Sequence, residues 1–197
     1  MPKVSEEYRV ARRDEIASAA IRAFERKGFA STSMADIIAE SGLSAGAIYG
    51  NFTNKAELVQ TVAERILGDR LGEAMALRRV EPLPSPGELV GVLMRGMASA
   101  LGNPALLVQV WGAAMTDPPL KSLAQDIMRS LTDALFAHIS LWHQRANGLS
   151  ERAADAVAAE QTPLFTAACQ GFILHAALLP DFDAEAYLSA AAKNLPR

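Results

Sequence analysis

Residues 28–58 read GFASTSMADIIAESGLSAGAIYGNFTNKAEL, and the punctuation of that stretch decides the architecture. Ser33 and Asp36 have the spacing of a capping box, with Asp standing where Glu or Gln is usual. Behind them Met34, Ile37 and Ile38 supply the buried side of a helix. Gly42 breaks that helix, and Ser44 caps a very short third one over 45–51. Asn54 and Glu57 form another capping pair, after which Leu58, Val62 and Ile66 continue an apolar stripe. Upstream, Ile16, Ala20 and Phe24 line one face of a helix over 7–27, with Arg12, Arg13, Arg22 and Arg26 off that face. Gly28 suits the left-handed cap that ends it. Two short helices joined by a tight Gly-containing turn, between two longer ones, make a helix-turn-helix in a small bundle.

The remainder is helical in pattern too. Strand-type alternation never lasts, and Ala, Leu, Glu and Arg dominate. The chain is therefore expected to be all-α. The longest loop is expected over 80–87, where prolines stand at 82, 84 and 86, with further breaks at 102–104, 117–119, 147–150 and 180–183.

Charge is weakly segregated. The 197 residues carry a formal net charge of −3. Residues 1–55 hold eight Lys and Arg against seven Asp and Glu, and residues 56–197 hold eleven against fifteen. The sign suits nucleic-acid contact at the N-terminal end. The single cysteine, Cys169, excludes an internal disulfide or a Cys-rich zinc site and fits a reducing, cytoplasmic setting. The first thirteen residues lack the apolar core of a secretory signal. The stretch 164–179 is too short for a membrane span and contains Gln170 and His175.

Over Gly28–Leu58 the sequence resembles the TetR family of transcription regulators. Gly28, Phe29, Thr32, Ser33, Ile37, the turn Gly42-Leu43-Ser44, then Gly46, Ile48, Tyr49, Phe52, Lys55 and Leu58 all fall at the family's spacing. The recognition helix departs from the pattern. Ala45 stands where many members carry Lys, Ala47 where Thr is common, and Gly50-Asn51 where an aromatic or His pair is frequent.

The resemblance implies a DNA-binding domain over 1–55 and a ligand-binding and dimerisation domain over 56–197. The third helix would enter the major groove. Thr32, Tyr49 and Lys55 would touch phosphates, helped by Ser33 at the head of the second helix. Ser44, Ala45, Gly46 and Asn51 would face the groove. There Ala45 and Ala47 offer methyl contacts, Asn51 pairs with adenine, and Gly46 admits close backbone approach. With so few long polar readers, part of the specificity would come from DNA shape. Ile48 and Phe52 are expected in the core.

A small-molecule effector, largely apolar, is the partner implied for the C-terminal helices. Met94, Met97, Trp111 and Met115 are candidates to line its site. Phe136, His138, Trp142 and Phe172 complete the set. Each is equally at home in plain bundle core. The last two helices are expected to form a homodimer seam, with Ala167, Ala168, Gly171 and Ala176 permitting close approach and Phe172 and Leu179 supplying bulk. Two-fold pairing then implies a palindromic operator on double-stranded DNA. Arg95, amid apolar neighbours, reads as a salt-bridge partner or as an anion contact.

Other classes fare worse. No nucleophile elbow, Gly-rich phosphate loop or paired-His metal motif is present, so no enzyme, cofactor or metal is expected. Cys169 and His175 lie six residues apart on one helix and point about 120° away from each other. A helical adaptor that binds other proteins would explain the apolar C-terminal helices but not the pattern from Thr32 to Lys55.

Overall fold

The computed structural model describes residues 6–196, so the reading of the extreme N-terminus falls partly outside the described residues. Among those residues nine helices and no strand occur. They are α1 (Glu6–Lys27), α2 (Met34–Ser41), α3 (Ala45–Tyr49), α4 (Lys55–Leu77), α5 (Pro86–Leu101), α6 (Ala105–Ala114), α7 (Pro118–Ala146), α8 (Glu151–Leu178) and α9 (Ala184–Asn194).

Local chemistry sets most of the boundaries. Ser33 and Asp36 close a complete capping box on α2, which satisfies two N–H groups that have no partner within the helix. Gly28 (φ 80°) and Gly42 (φ 68°) take the left-handed conformation that ends α1 and α2 and that side chains disfavour. Asn54 caps α4 by accepting from Glu57 N at 2.9 Å, but the Glu57 carboxylate returns to Thr53 N at 2.8 Å rather than to the cap residue. The third helix stops at Tyr49, two residues short of its expected end, because Gly50 and Asn51 already close a turn onto Gly46 and Ile48. The proline loop lies two residues earlier than expected, over 78–85. Ser85 and Glu88 form a capping box, and Pro86 occupies the first turn of α5, where its missing N–H costs nothing.

Packing divides into two main apolar clusters. The first holds Ile16, Phe24, Phe29, Ile37, Ile48, Phe52 and Leu58 of the N-terminal helices, yet it also contains Leu101, Leu106, Ala114 and Leu120. The second gathers Leu89, Leu93, Leu135, Ile139, Phe165 and Cys169 around α5, α7 and α8. Gly87 lets α9 lie against α5, since a Cβ there would stand 2.7 Å from the Ala192 Cα.

Charge pins α2 onto α1. Glu40 accepts from Arg22 at 3.0 Å and from Arg26 at 2.5 Å, and Asp36 accepts from Lys27 at 2.5 Å. The bond from Lys27, with those from Ser33, holds the Asp36 carboxyl well below its usual range, and Arg22 and Arg26 do the same for Glu40. Carboxyls depressed in this way stabilise the folded state above the unfolded carboxylate pKa of about 4. That contribution is lost as pH falls through the folded values.

Thermal melts should therefore show earlier loss of structure at pH 3 than at pH 7. Glu40→Gln should lower the melting point at pH 7 and shrink that difference. Phe165→Ala, which empties a fully buried site, should cost about 3–5 kcal/mol in a urea titration.

Candidate nucleic-acid interface and ligand cavity

The helix-turn-helix presents α3 outward. Ile48 and Phe52 are buried at 0% and 1% exposure and anchor its inner side, as expected. Ser44, Ala45, Gly46 and Tyr49 are exposed, and the Ser44 Oγ caps the helix from Ala47 N at 3.2 Å. Tyr49 is 52% exposed. Ala47 is half-buried. Asn51 is half-buried too, and its amide donates to Ala47 O at 2.8 Å, so two-point pairing with a base requires that bond to open. Ser33 is exposed beside its capping box.

Two expected phosphate contacts have internal partners. Thr32 is 3% exposed, and its hydroxyl donates to Gly28 O at 2.7 Å. That corrects the reading of its side chain as a phosphate contact: the hydroxyl is directed inward, to a carbonyl at the end of α1. The Lys55 ammonium donates to Phe29 O and to Thr32 O, the latter at 2.9 Å. It also lies 4.0 Å from the centroid of the Phe29 ring, at a distance typical of cation–π attraction. Burial lowers its pKa. Two of its three donors hold the α1–α2 turn, which leaves one for DNA.

Arg13 was not distinguished from the other arginines of α1 by sequence. Its guanidinium donates to Asn51 O at 2.5 Å and to Thr61 Oγ1 at 2.9 Å, and stacks 4.1 Å over Phe52. It thus ties the end of α3 to both long helices. Only the i, i+4 crowding of arginines hinted at special roles. Their partners lie too far along the chain to be read locally.

Behind the reading head lies an apolar cavity of about 120 Å³. Its wall includes Phe24 of α1, Val59 and Val62 of α4, Met97 of α5, Trp111 of α6 and Cys169 of α8. Arg70, Gln170 and the indole of Trp111 are the side chains in the wall that carry hydrogen-bonding nitrogen. Of the eight expected lining residues, Met97 and Trp111 belong to this cavity. Met94 and Phe172 line a smaller neighbouring void with Met97.

The other four are corrections. Met115 falls just past the end of α6 and is 77% exposed. Phe136 packs against the second apolar cluster. His138 is fully buried, with Nε2 2.9 Å from Pro84 O. Burial lowers its pKa, so it is neutral core. Trp142 borders a separate groove with Ser85 and Lys193. Helical periodicity ranks residues by face but does not say which buried face meets a void.

Cys169 is no nucleophile. Desolvation pushes its thiol up to about 12, while His175 sits edge-on to Phe182 and Tyr187. Among the described residues no three His, Cys, Asp or Glu side chains gather as a metal site would need, and no helix is long and apolar enough to cross a membrane. On the expected seam, Phe172 is buried and Ala176 packs into the second cluster. Gly171 lies where a Cβ would stand 2.8 Å from the Tyr187 hydroxyl of the same chain. The outer face of α8 is carried instead by Leu164, Ala167, Leu174 and Leu178.

The family described as bacterial regulatory proteins, tetR family, matches residues 16–62. The uncharacterized HTH-type transcriptional regulator YfiR of Bacillus subtilis is 40% identical over 70 residues, covering 36% of this chain and 34% of that one. The HTH-type transcriptional regulator BetI 1 of Chromohalobacter salexigens is 29% identical over 142 residues, covering 70% and 69%. FadR of Thermus thermophilus, a TetR-family repressor solved with lauroyl-CoA, shares the fold with a TM-score of 0.59 at 18% identity, covering 93% and 92%. The match thus spans about a third of YfiR's length, and its strongest part is the reading head. Residues 16–62 thus carry the reading head of the tetR family of bacterial regulatory proteins, and the all-helical body behind them shares the fold of solved TetR-family proteins.

Proposed function

We propose that the protein is a sequence-specific transcription regulator that binds a palindromic operator as a homodimer and leaves it when a small molecule fills the cavity. It is not an enzyme, and it works in the cytoplasm. The observation that carries this reading is the sharing of Phe24 between the core of the reading head and the wall of the cavity. A ligand that displaces the wall must act on the elements that hold α3.

Two further links support the coupling. Helix α4 runs unbroken from Lys55, in the head, to Leu77, and Val59, Val62, Ile66 and Arg70 along it all border the cavity. Helix α6 sends the Gln109 side chain to accept from Phe29 N at 2.7 Å. A ligand shifts the equilibrium only by its difference in affinity between the DNA-bound and released states. The cavity lies where such a difference would arise.

We place the DNA-binding domain at 1–55 and the sensing and dimer domain at 56–197. The proposed DNA contacts are Ser33, Ser44, Ala45, Gly46, Ala47, Tyr49, Asn51 and Lys55. Thr32 serves beneath them, as the buried support of the α1–α2 turn. Dimerisation is assigned to the outer face of α8, where the exposed Leu164, Ala167, Leu174 and Leu178 fall at steps of three, seven and four residues along one side. That is the spacing of a helix–helix seam.

Selection from a random duplex pool should recover a palindrome, and recovery of nothing above background would overturn the regulator reading. Tyr49→Ala should weaken retention of most sequences alike. Because Arg13, Arg22, Arg26 and Lys27 are engaged inside the head, the dependence of affinity on salt should be far shallower than the slope of about −10 seen for lac repressor. Leu174→Arg should yield monomers in sedimentation and abolish specific retention while the helical signal in circular dichroism stays intact.

A further inference from the structure

We infer that the effector is an amphiphilic carboxylate, with a compact apolar body in the cavity and its charged end on Arg70 of α4. The inference rests on the reading of this cavity as the effector site. Except for Arg70, the amide of Gln170 and the indole N–H of Trp111, its wall is built from apolar side chains and Cys169. The Arg70 side chain is only 12% exposed, and a cation in such a place needs its donors satisfied.

They are not all satisfied. Nη2 lies 3.0 Å from Glu73 Oε1, whereas the buried Arg70 Nε and Glu73 Oε2 have no hydrogen-bond partner. The unmet donor is the Nε–H, and a carboxylate has the geometry to meet it together with a neighbouring N–H of the same fork. The amide of Gln170, at the exposed edge of the wall, donates to Met128 Sδ at 3.5 Å, a weak acceptor.

Gly96 leaves open the space that the guanidinium occupies. A Cβ at residue 96 would stand 1.3 Å from Arg70 Nη1. Only glycine therefore lets the guanidinium lie against the backbone of α5. A glycine in the middle of a helix weakens it, and here its absent side chain is the slot. Arg95, the arginine singled out by sequence, has a different fate. It pairs with Glu185 at 3.2 Å, and both side chains are more than half exposed. The cavity volume compares with about 150 Å³ for an engineered apolar cavity that accepts benzene, so the apolar body is the size of one ring or a short chain.

Two matched probe series test this: phenylacetate, 2-phenylethanol and 2-phenylethylammonium, then hexanoate, hexanol and hexylammonium. Binding is followed by calorimetry and by fluorescence, for which Trp111 sits in the wall. The carboxylates should bind at least tenfold tighter than the alcohols, and the ammonium ions weakest. Arg70→Gln should erase that preference, so that acid and alcohol bind alike. Gly96→Ala should reduce it by displacing the guanidinium, and Glu73→Gln should raise carboxylate affinity severalfold by removing a competitor. The last two variants keep the test open should Arg70→Gln misfold. Equal binding of acid and alcohol, a preference for ammonium, no binding in either series, or a preference that survives Arg70→Gln would each overturn the inference. Retention of the selected duplex by ligand-free protein is scored separately. Its loss alongside an intact carboxylate preference would sink the regulator reading and leave the anion site standing.

Discussion

No polar seam divides the reading head from the body of this protein. The ring of Phe24 is 3% exposed, packs 5.4 Å from Phe29 in the core of the head, and forms part of the cavity wall. The same apolar cluster continues into Leu106, Ala114 and Leu120. Apolar interiors are close-packed, so a displacement on one side of such a cluster is passed to the other rather than absorbed. Helix boundaries, caps and ion pairs determine where each element ends, but this shared cluster makes two helical groups into one responsive body.

The reading head achieves its rigidity with charge that would otherwise face DNA. Glu40 engages two arginines, Asp36 a lysine, and Arg13 the last carbonyl of the recognition turn. Lys55 is half withdrawn beneath Phe29 and Thr32. What remains outward on α3 is neutral and, apart from Tyr49, small. Such a surface reads a groove by fit, backbone approach and methyl contact more than by long-range attraction.

How much of this was legible depended on distance along the chain. Ser33 with Asp36, Gly42 and Ser44 act within a few residues, so the helix-turn-helix could be read from spacing, and Ile48 and Phe52 could be assigned inward by periodicity. The family pattern then supplied the proposed groove-facing set, of which Ser44, Ala45 and Gly46 are exposed. Thr32 and Lys55 were placed correctly in the chain, but where their side chains turn depends on carbonyls four and twenty-six residues away. Met97 and Trp111 reached the cavity, while Met115 missed it because α6 ends one residue earlier. Arg70 was overlooked, since one more arginine on a long helix carries no mark. Its mark is Gly96, on another helix, and only the fold brings the two together.

The placement of Phe24 and Val59 in the cavity wall also constrains how such a protein can diverge. Both residues belong to the core that holds α3. A mutation that reshapes the wall for a new small molecule therefore changes the stability of the DNA-reading unit at the same stroke. Chemical taste and grip on the genome are linked traits in this architecture. Lineages that acquire a new inducer should carry compensating changes inside the head, at positions that touch neither ligand nor DNA.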